Sequence, residues 1–314
     1  MRVWIYDDLN WPSGTAAGFM LKDHPEYRSR SISSEFVSLP AGDTFFYNRG
    51  CRPERVFIRR TGSECWTLLD FQDNVWRNDT GAEIELLCFD IRFYNDALLT
   101  SSGISNTWNQ RGYCDMMNPK AVKCWMSYIH ERYWEKFRSY CGDTLKGFFF
   151  DEPYMTLQQL PWTPGFFEKF IQRFGYDVRD RLPVLFYDAP DAERIRADYW
   201  SLVTEIGSSA FSKTIADWCM ERNLLSTGHC SGEEISRPRI RLSSNGEIYR
   251  ILKYQPVPGM DLLGINTPYK LDRSTCRWYG DTPGVERNFI FTAKQVCSTG
   301  RYSGAKRIMA EAMG

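Results

Sequence analysis

An α/β fold, built as a parallel (β/α)8 TIM-type barrel with a small antiparallel β domain inserted near its start, is what this 314-residue sequence predicts. Three observations carry that expectation. Apolar, β-rich runs end repeatedly in carboxylates: VWIY before Asp7 and Asp8, GFFF before Asp151 and Glu152, and RIMA before Glu311. Segments with helical spacing of apolar residues separate these runs, and strand–helix alternation implies parallel strands. From Ser31 to Tyr94 the pattern changes to short β-type runs divided by turn formers.

Taken in order, residues 1–30 begin the barrel: a strand, the two acids, then the turn-rich loop NWPSGTAAG. Residues 31–96 form the inserted β domain, with turn signals at Pro40 to Asp43, Thr61 to Ser63 and Asp79 to Gly81. Residues 97–314 return to the barrel. Asn118-Pro119 starts a helix, a capping side chain followed by Pro where the helix needs no N–H. Val122, Trp125, Met126, Ile129, Tyr133 and Phe137 keep helical spacing and predict one helix up to Gly142. It feeds the strand of KGFFFDEPY, which Pro153 closes because it cannot donate to a ladder. Further helices are expected from Thr163-Pro164 to Gly175, from about Ala192 to Arg222, and from about Phe291 to Tyr302. Strands are expected at LLSTG before His229, at Met260 to Leu263, and at Arg307 to Ala310.

Composition narrows the function. Lys plus Arg and Asp plus Glu are both 39, so no polyanion is implied as partner: no nucleic acid and no membrane surface. No apolar run reaches 18 residues and no signal peptide is evident, which predicts a soluble chain, cytoplasmic as it stands and periplasmic or secreted if a leader belongs to it. Both ends look cut through a domain, so flanking domains of a longer chain are expected. The ten cysteines show no CxxC pair, and Cys88, Cys124, Cys219 and Cys297 lie in apolar segments as reduced core thiols. Aromatic residues, 15% of the chain, suit stacking on sugar rings, although most of them are accounted for as filler between helices and sheet.

In parallel α/β barrels the C-terminal strand ends carry the chemistry. Two carboxylates flanking a scissile bond are the minimum for glycoside hydrolysis, and Glu152 and Glu311 fit those roles. Asp151 beside Glu152 would help keep it protonated if both faced one site, yet neighbours in a strand point to opposite faces. A carboxylate pair that caps the next helix is the bland alternative. His229 serves either to bind a sugar hydroxyl or as a structural hydrogen-bonder. Asp7, Asp8, Asn10 and Trp11 form either a sugar subsite or a turn held by Asx bonds. Glu233 and Glu234 fit helix N-terminal charges, with a catalytic role as the lesser alternative. Trp108, Tyr154 and Asn266, just beyond apolar runs, complete the candidate substrate-binding set. No cofactor is required by these residues. Two other function classes stay open: a metal-dependent hydrolase holding one metal on Asp7, His229 and Asp261, and a non-catalytic carbohydrate-binding fragment.

VWIYDDLNWPSGTAAG, DMMNPKAV with GFFFDEP, FGYDVRDRLPVLF, TGHCSGEE, PGMDLLG and AKQVCSTGRYSGAKRIMAEAMG together resemble the catalytic barrel of large bacterial glycoside hydrolases similar to family 106 α-L-rhamnosidases. The resemblance implies an incomplete barrel, strands two to seven of eight, with VWIY the second and RIMAEAMG the seventh. It implies hydrolysis of a terminal glycosidic bond, an α-L-rhamnoside as substrate, acids after strands four and seven, and calcium as a cofactor. Members of the large retaining clan carry Asn before the first acid, where this chain has Asp151; family 106 is inverting.

Overall fold

The computed structural model describes residues 1–8, 11–95, 112–155, 160–230, 246–261 and 289–311. In chain order its elements are β1 (Val3–Tyr6), α1 (Phe19–Asp23), β2 (Arg30–Leu39), β3 (Thr44–Phe46), β4 (Arg55–Arg60), β5 (Thr67–Leu69), β6 (Val75–Arg77) and β7 (Ile84–Phe93). Then come α2 (Pro119–Tyr128), α3 (His130–Phe137), β8 (Leu145–Asp151), β9 (Leu160–Trp162), α4 (Phe166–Phe174), α5 (Ala192–Gly207) and α6 (Thr214–Met220). The chain closes with β10 (Leu225–His229), α7 (Ile248–Leu252), β11 (Val257–Asp261), α8 (Phe289–Ser303) and β12 (Met309–Glu311). No helix among the described residues is long and apolar enough to cross a membrane.

Two compact units divide the chain, the first made of Met1–Ser29, Tyr94–Leu157 and Val203–Gly314, the second of Arg30–Phe93 and Gln158–Leu202. The second unit is an antiparallel sheet in the order β5-β4-β7-β2-β9 with a β3-β6 ribbon. Its core gathers Leu39, Tyr47, Val56, Phe71, Ile84, Leu86 and Cys88, the last three on alternate positions of β7 and so on one face.

The first unit holds a parallel sheet in the order β1-β8-β10-β11-β12. The expected (β/α)8 TIM-type barrel is therefore not what forms. Among the described residues there are five parallel strands, and β1 and β12 each pair on one side alone, β1 with β8 and β12 with β11, so the sheet is open. Closure needs a fixed number of strands with a matched stagger. Acid-tipped strands alternating with helices specify parallel crossovers and leave both the count and the closure undetermined.

Local chemistry explains the units of this sheet. Asn118 accepts the backbone N–H of Lys120 at 3.0 Å and Pro119 opens α2, as the sequence requires. The single helix expected to run on to Gly142 is broken at Ile129, whose φ of −125° is not helical and which lets His130 turn inward. The long helix expected from Ala192 likewise divides, by a π-helical turn at Ser208–Lys213. There Ser212 donates through Oγ to the Ile251 carbonyl at 2.5 Å, and its own carbonyl accepts from Gln255 at 3.1 Å.

Three glycines let the central strands close up. A Cβ on Gly147 would lie 1.9 Å from the Leu225 carbonyl oxygen, one on Gly228 2.2 Å from that of Phe150, and one on Gly259 2.5 Å from that of Gly228. Strand β11 accordingly begins at Val257, upstream of the expected Met260, and absorbs a Pro258-Gly259 pair that reads as a turn. Of the four cysteines expected in the core, Cys88 and Cys219 are buried and Cys297 is exposed.

The parallel sheet is polar in charge along its strands. Asp7, Asp8, Asp151, Glu152, Asp261 and Glu311 stand at or just beyond C-terminal strand ends, whereas Arg2, Lys146, Lys306 and Arg307 stand at or just before N-terminal ones.

Candidate functional site

The C-terminal ends of the parallel strands gather the candidate residues. Pairing of β8 with β10 sets His229 beside Asp151, and pairing of β11 with β12 sets Asp261 beside Glu311. His229, 1% exposed, brings the rest together: its Nε2 lies 2.6 Å from Glu311 Oε2 and 3.6 Å from Asp151 Oδ1. Tyr6, at the end of β1, donates its hydroxyl to the other Asp151 oxygen at 2.7 Å. Partial burial and the adjacent Asp151 push the Tyr6 phenol above its ordinary range.

Desolvation raises the Asp151 carboxyl above the usual carboxylate range, with Glu311 and Asp261 adding to it; His229 and the Tyr6 hydroxyl pull the other way. Burial is the largest cause, and the two neighbouring acids act with it against the one imidazole.

Glu152 leaves this group. Its φ of 45° breaks the strand alternation, and its N–H reaches the His229 carbonyl at 3.2 Å. The carboxylate turns to Trp11, whose indole Nε1 donates to Oε2 at 2.5 Å. Tyr154 packs edge-on against the Trp11 ring, centroids 6.2 Å apart, and Tyr113 packs against Tyr154 at 6.3 Å.

Asp7 and Asp8 are turned into the structure. Asp8 Oδ2 accepts the backbone N–H groups of Gly14, Thr15 and Ala16 at 2.9, 2.7 and 3.0 Å, and Oδ1 accepts the Thr15 hydroxyl at 2.7 Å. Such a carboxylate fixes a loop. Asp7 is wholly buried; its Oδ1 accepts the Ser13 hydroxyl at 2.5 Å, and its Oδ2 lies 3.8 Å from His130 Nε2. Burial raises the Asp7 carboxyl well above its usual range, against the Ser13 bond, with Asp8 and Asp151 adding to the rise. Ser13 also ties β1 to β8, its N–H donating to the Asp151 carbonyl and its Oγ accepting the Asp151 N–H, both at 2.8 Å.

The structure thus unites Asp151, His229 and Glu311, and separately Glu152, Trp11 and Tyr154. Asn10, Trp108, Glu233, Glu234 and Asn266 lie outside the described residues. Tyr6, Ser13, Tyr113 and His130 escaped the sequence reading. Tyr6 had a visible signal, the last residue of an acid-tipped strand; His130 had none, because it sits on a helix in a run that reads as continuous.

One donor atom from each of Asp151, His229 and Glu311 lies within 4.8 Å of the others, a spacing that can hold a metal ion. The set does not fit calcium, which takes six to eight oxygen ligands. It supplies two carboxylates and a nitrogen, and that nitrogen is already bonded to Glu311.

No family model matches the chain, and no curated protein matches it. Among solved structures, the rhamnosidase from Novosphingobium sp. PP1Y is similar at a TM-score of 0.53 and 19% identity. The likeness covers 77% of this chain and 22% of that one, so the chain spans about a fifth of the neighbour's length. It is a likeness of fold.

Proposed function

We propose that the C-terminal end of the parallel sheet hydrolyses glycosidic bonds, with Glu152 and Glu311 as the working carboxylates. The observation that supports this most is the division of labour around His229: Glu311 is held by the imidazole at 2.6 Å, while Glu152 turns its carboxylate to the Trp11 indole N–H. A carboxylate held in place by an imidazole suits the base that activates water or the nucleophile at the anomeric carbon. Glu152, its Oε2 fixed by the Trp11 indole, is the carboxyl assigned to protonate the leaving oxygen. Asp151 and His229 orient Glu311. Trp11 and Tyr154 offer aromatic faces for a sugar ring.

The fold likeness to a rhamnosidase makes a terminal α-L-rhamnoside the first substrate to try. Aryl α-L-rhamnoside, with other aryl glycosides beside it, is incubated with the wild type, Glu152→Gln and Glu311→Gln. Each substitution is expected to lower kcat by at least about 100-fold, the scale for removing a positioned acid or base. Turnover by a variant at near the wild-type rate takes that residue out of the mechanism.

A second reading, metal-assisted hydrolysis, is favoured by the converging Asp151, His229 and Glu311, in place of the set of Asp7, His229 and Asp261 read from the sequence. Zinc or manganese bound at one ion per chain, and lost in His229→Gln, selects it.

A further inference from the structure

At the opposite end of the same sheet lies a cavity of about 600 Å³, lined by Arg2, Lys146, Lys253, Lys306 and Arg307. No acidic side chain lines it, and none of these five forms an ion pair with a described carboxylate. Several arginines elsewhere are paired, by contrast: Arg55 with Asp180 at 2.8 Å, Arg179 with Asp177 at 2.7 Å, Arg196 with Asp188 at 3.0 Å. The balance of 39 cations against 39 anions therefore conceals a local excess.

The strand topology produces it. In parallel strands joined by helices, every strand starts at the same end of the sheet, so single basic residues far apart in sequence meet there. Arg2 precedes β1, Lys146 is the second residue of β8, Lys253 follows α7, and Lys306 and Arg307 precede β12. The helices α6, α7 and α8 end at this side, and each C-terminus contributes at most about half a negative charge. Three such ends offset about 1.5 charges of five. Two of the cations have local partners, Lys146 the Gly142 carbonyl and Lys253 the Tyr254 ring at 4.9 Å, and neither partner is a carboxylate.

We infer that this cavity binds an oxyanion of the phosphate or sulfate class, free or as the ester of a sugar-sized molecule. Two guanidinium forks and three ammonium groups match the tetrahedral oxygens of such an anion. The volume lies within the usual range for small-molecule sites and exceeds what one bare ion fills. Leu225, Val257 and Tyr254 give an apolar wall for the rest of the molecule. The site is separate from the carboxylate end, so its test is independent of any hydrolytic activity.

The test is binding to the whole chain, by calorimetry and melting temperature, of glucose 6-phosphate, glucose 6-sulfate, sodium sulfate and glucose, with sodium chloride holding ionic strength constant. Saturable binding of either ester or of sulfate, and none of glucose, is expected. Binding by sulfate as tight as the esters identifies a free-ion site; tighter binding by an ester identifies the ester as ligand. The exposed pairs Lys306→Gln/Arg307→Gln and Arg2→Gln/Lys253→Gln should each weaken binding by at least about tenfold, charge-assisted hydrogen bonds being the strong ones. An effect no larger than that of chloride, glucose binding as well as its esters, or unchanged affinity in both folded variants overturns the inference.

Discussion

The indole nitrogen of Trp11 lies 2.5 Å from the Oε2 of Glu152, across 141 residues of chain. Neither residue is where a regular strand would place it. Glu152 reaches Trp11 because its φ is positive, and Trp11 is held in range by a loop that Asp8 ties through three N–H groups.

Trp11→Phe keeps the ring and removes the N–H that holds the Glu152 carboxyl in place. Turnover of an aryl glycoside should then fall by about tenfold in kcat, less than the loss on removing the acid itself. A kcat equal to that of the wild type would show that the indole does not position Glu152.

His130 is buried against Phe148, rings 4.3 Å apart, and burial lowers its pKa from the ordinary value to about 3. Below about pH 6.5 the unfolded chain binds a proton there that the folded chain refuses. The unfolded state thus holds more protons from about pH 6.5 down to about pH 3, and stability falls as pH falls, by up to about 1.4 kcal/mol per unit. Asp7, whose folded pKa is raised, has the opposite sign and loses stability as pH rises. Comparing urea midpoints of wild type, His130→Phe and Asp7→Asn is needed to separate the two, because Asp7 lies 3.8 Å from His130 Nε2 and a change at either is felt by the other. The acid-side decline should be shallower in His130→Phe than in the wild type; parallel curves for that pair would mean that His130 does not titrate as its burial requires.

Gly228→Ala should cost about 2 to 4 kcal/mol, in the range of strained, overpacked backbone sites. The new methyl meets the Phe150 carbonyl oxygen at 2.2 Å, and φ is +156°. Denaturant titration followed by tryptophan fluorescence reads the change. A loss below about 0.5 kcal/mol, the scale of an innocuous surface change, would mean that the two strands can part at no cost.

The sequence was informative wherever one residue's chemistry acts alone. Asn118-Pro119 starts a helix, Gly175 stops one with φ of 78°, and the apolar run before Asp151 is a strand. It was silent where the outcome depends on a distant partner. The helix break at Ile129 serves the burial of His130 beside Asp7, and the π turn at Ser212 answers to Ile251 and Gln255. For the site, the acids at the tips of β1, β8 and β12 were legible, and so was His229, whereas Asp261, which reads as lying inside its strand, ends β11. Which acids share the imidazole was not, because strand order and the positive φ of Glu152 decide it. Barrel closure lay furthest from view, since no single residue encodes the number of strands.

The charge polarity of the parallel sheet has its own electrostatic consequence. Cations and carboxylates of one strand stand four to six residues apart, as Arg307 from Glu311, Lys146 from Asp151 and Arg2 from Asp8, roughly 13 to 20 Å at about 3.3 Å per residue. The Debye length in physiological salt is about 8 Å. Carboxylates at one end and cations at the other are thus screened from each other and act on the solution as two independent electrodes. A parallel sheet built this way carries a large dipole, and each end is expected to seek its own exchanger, the carboxylate end an anion exchanger and the cationic end a cation exchanger, so the isoelectric point of the chain describes neither.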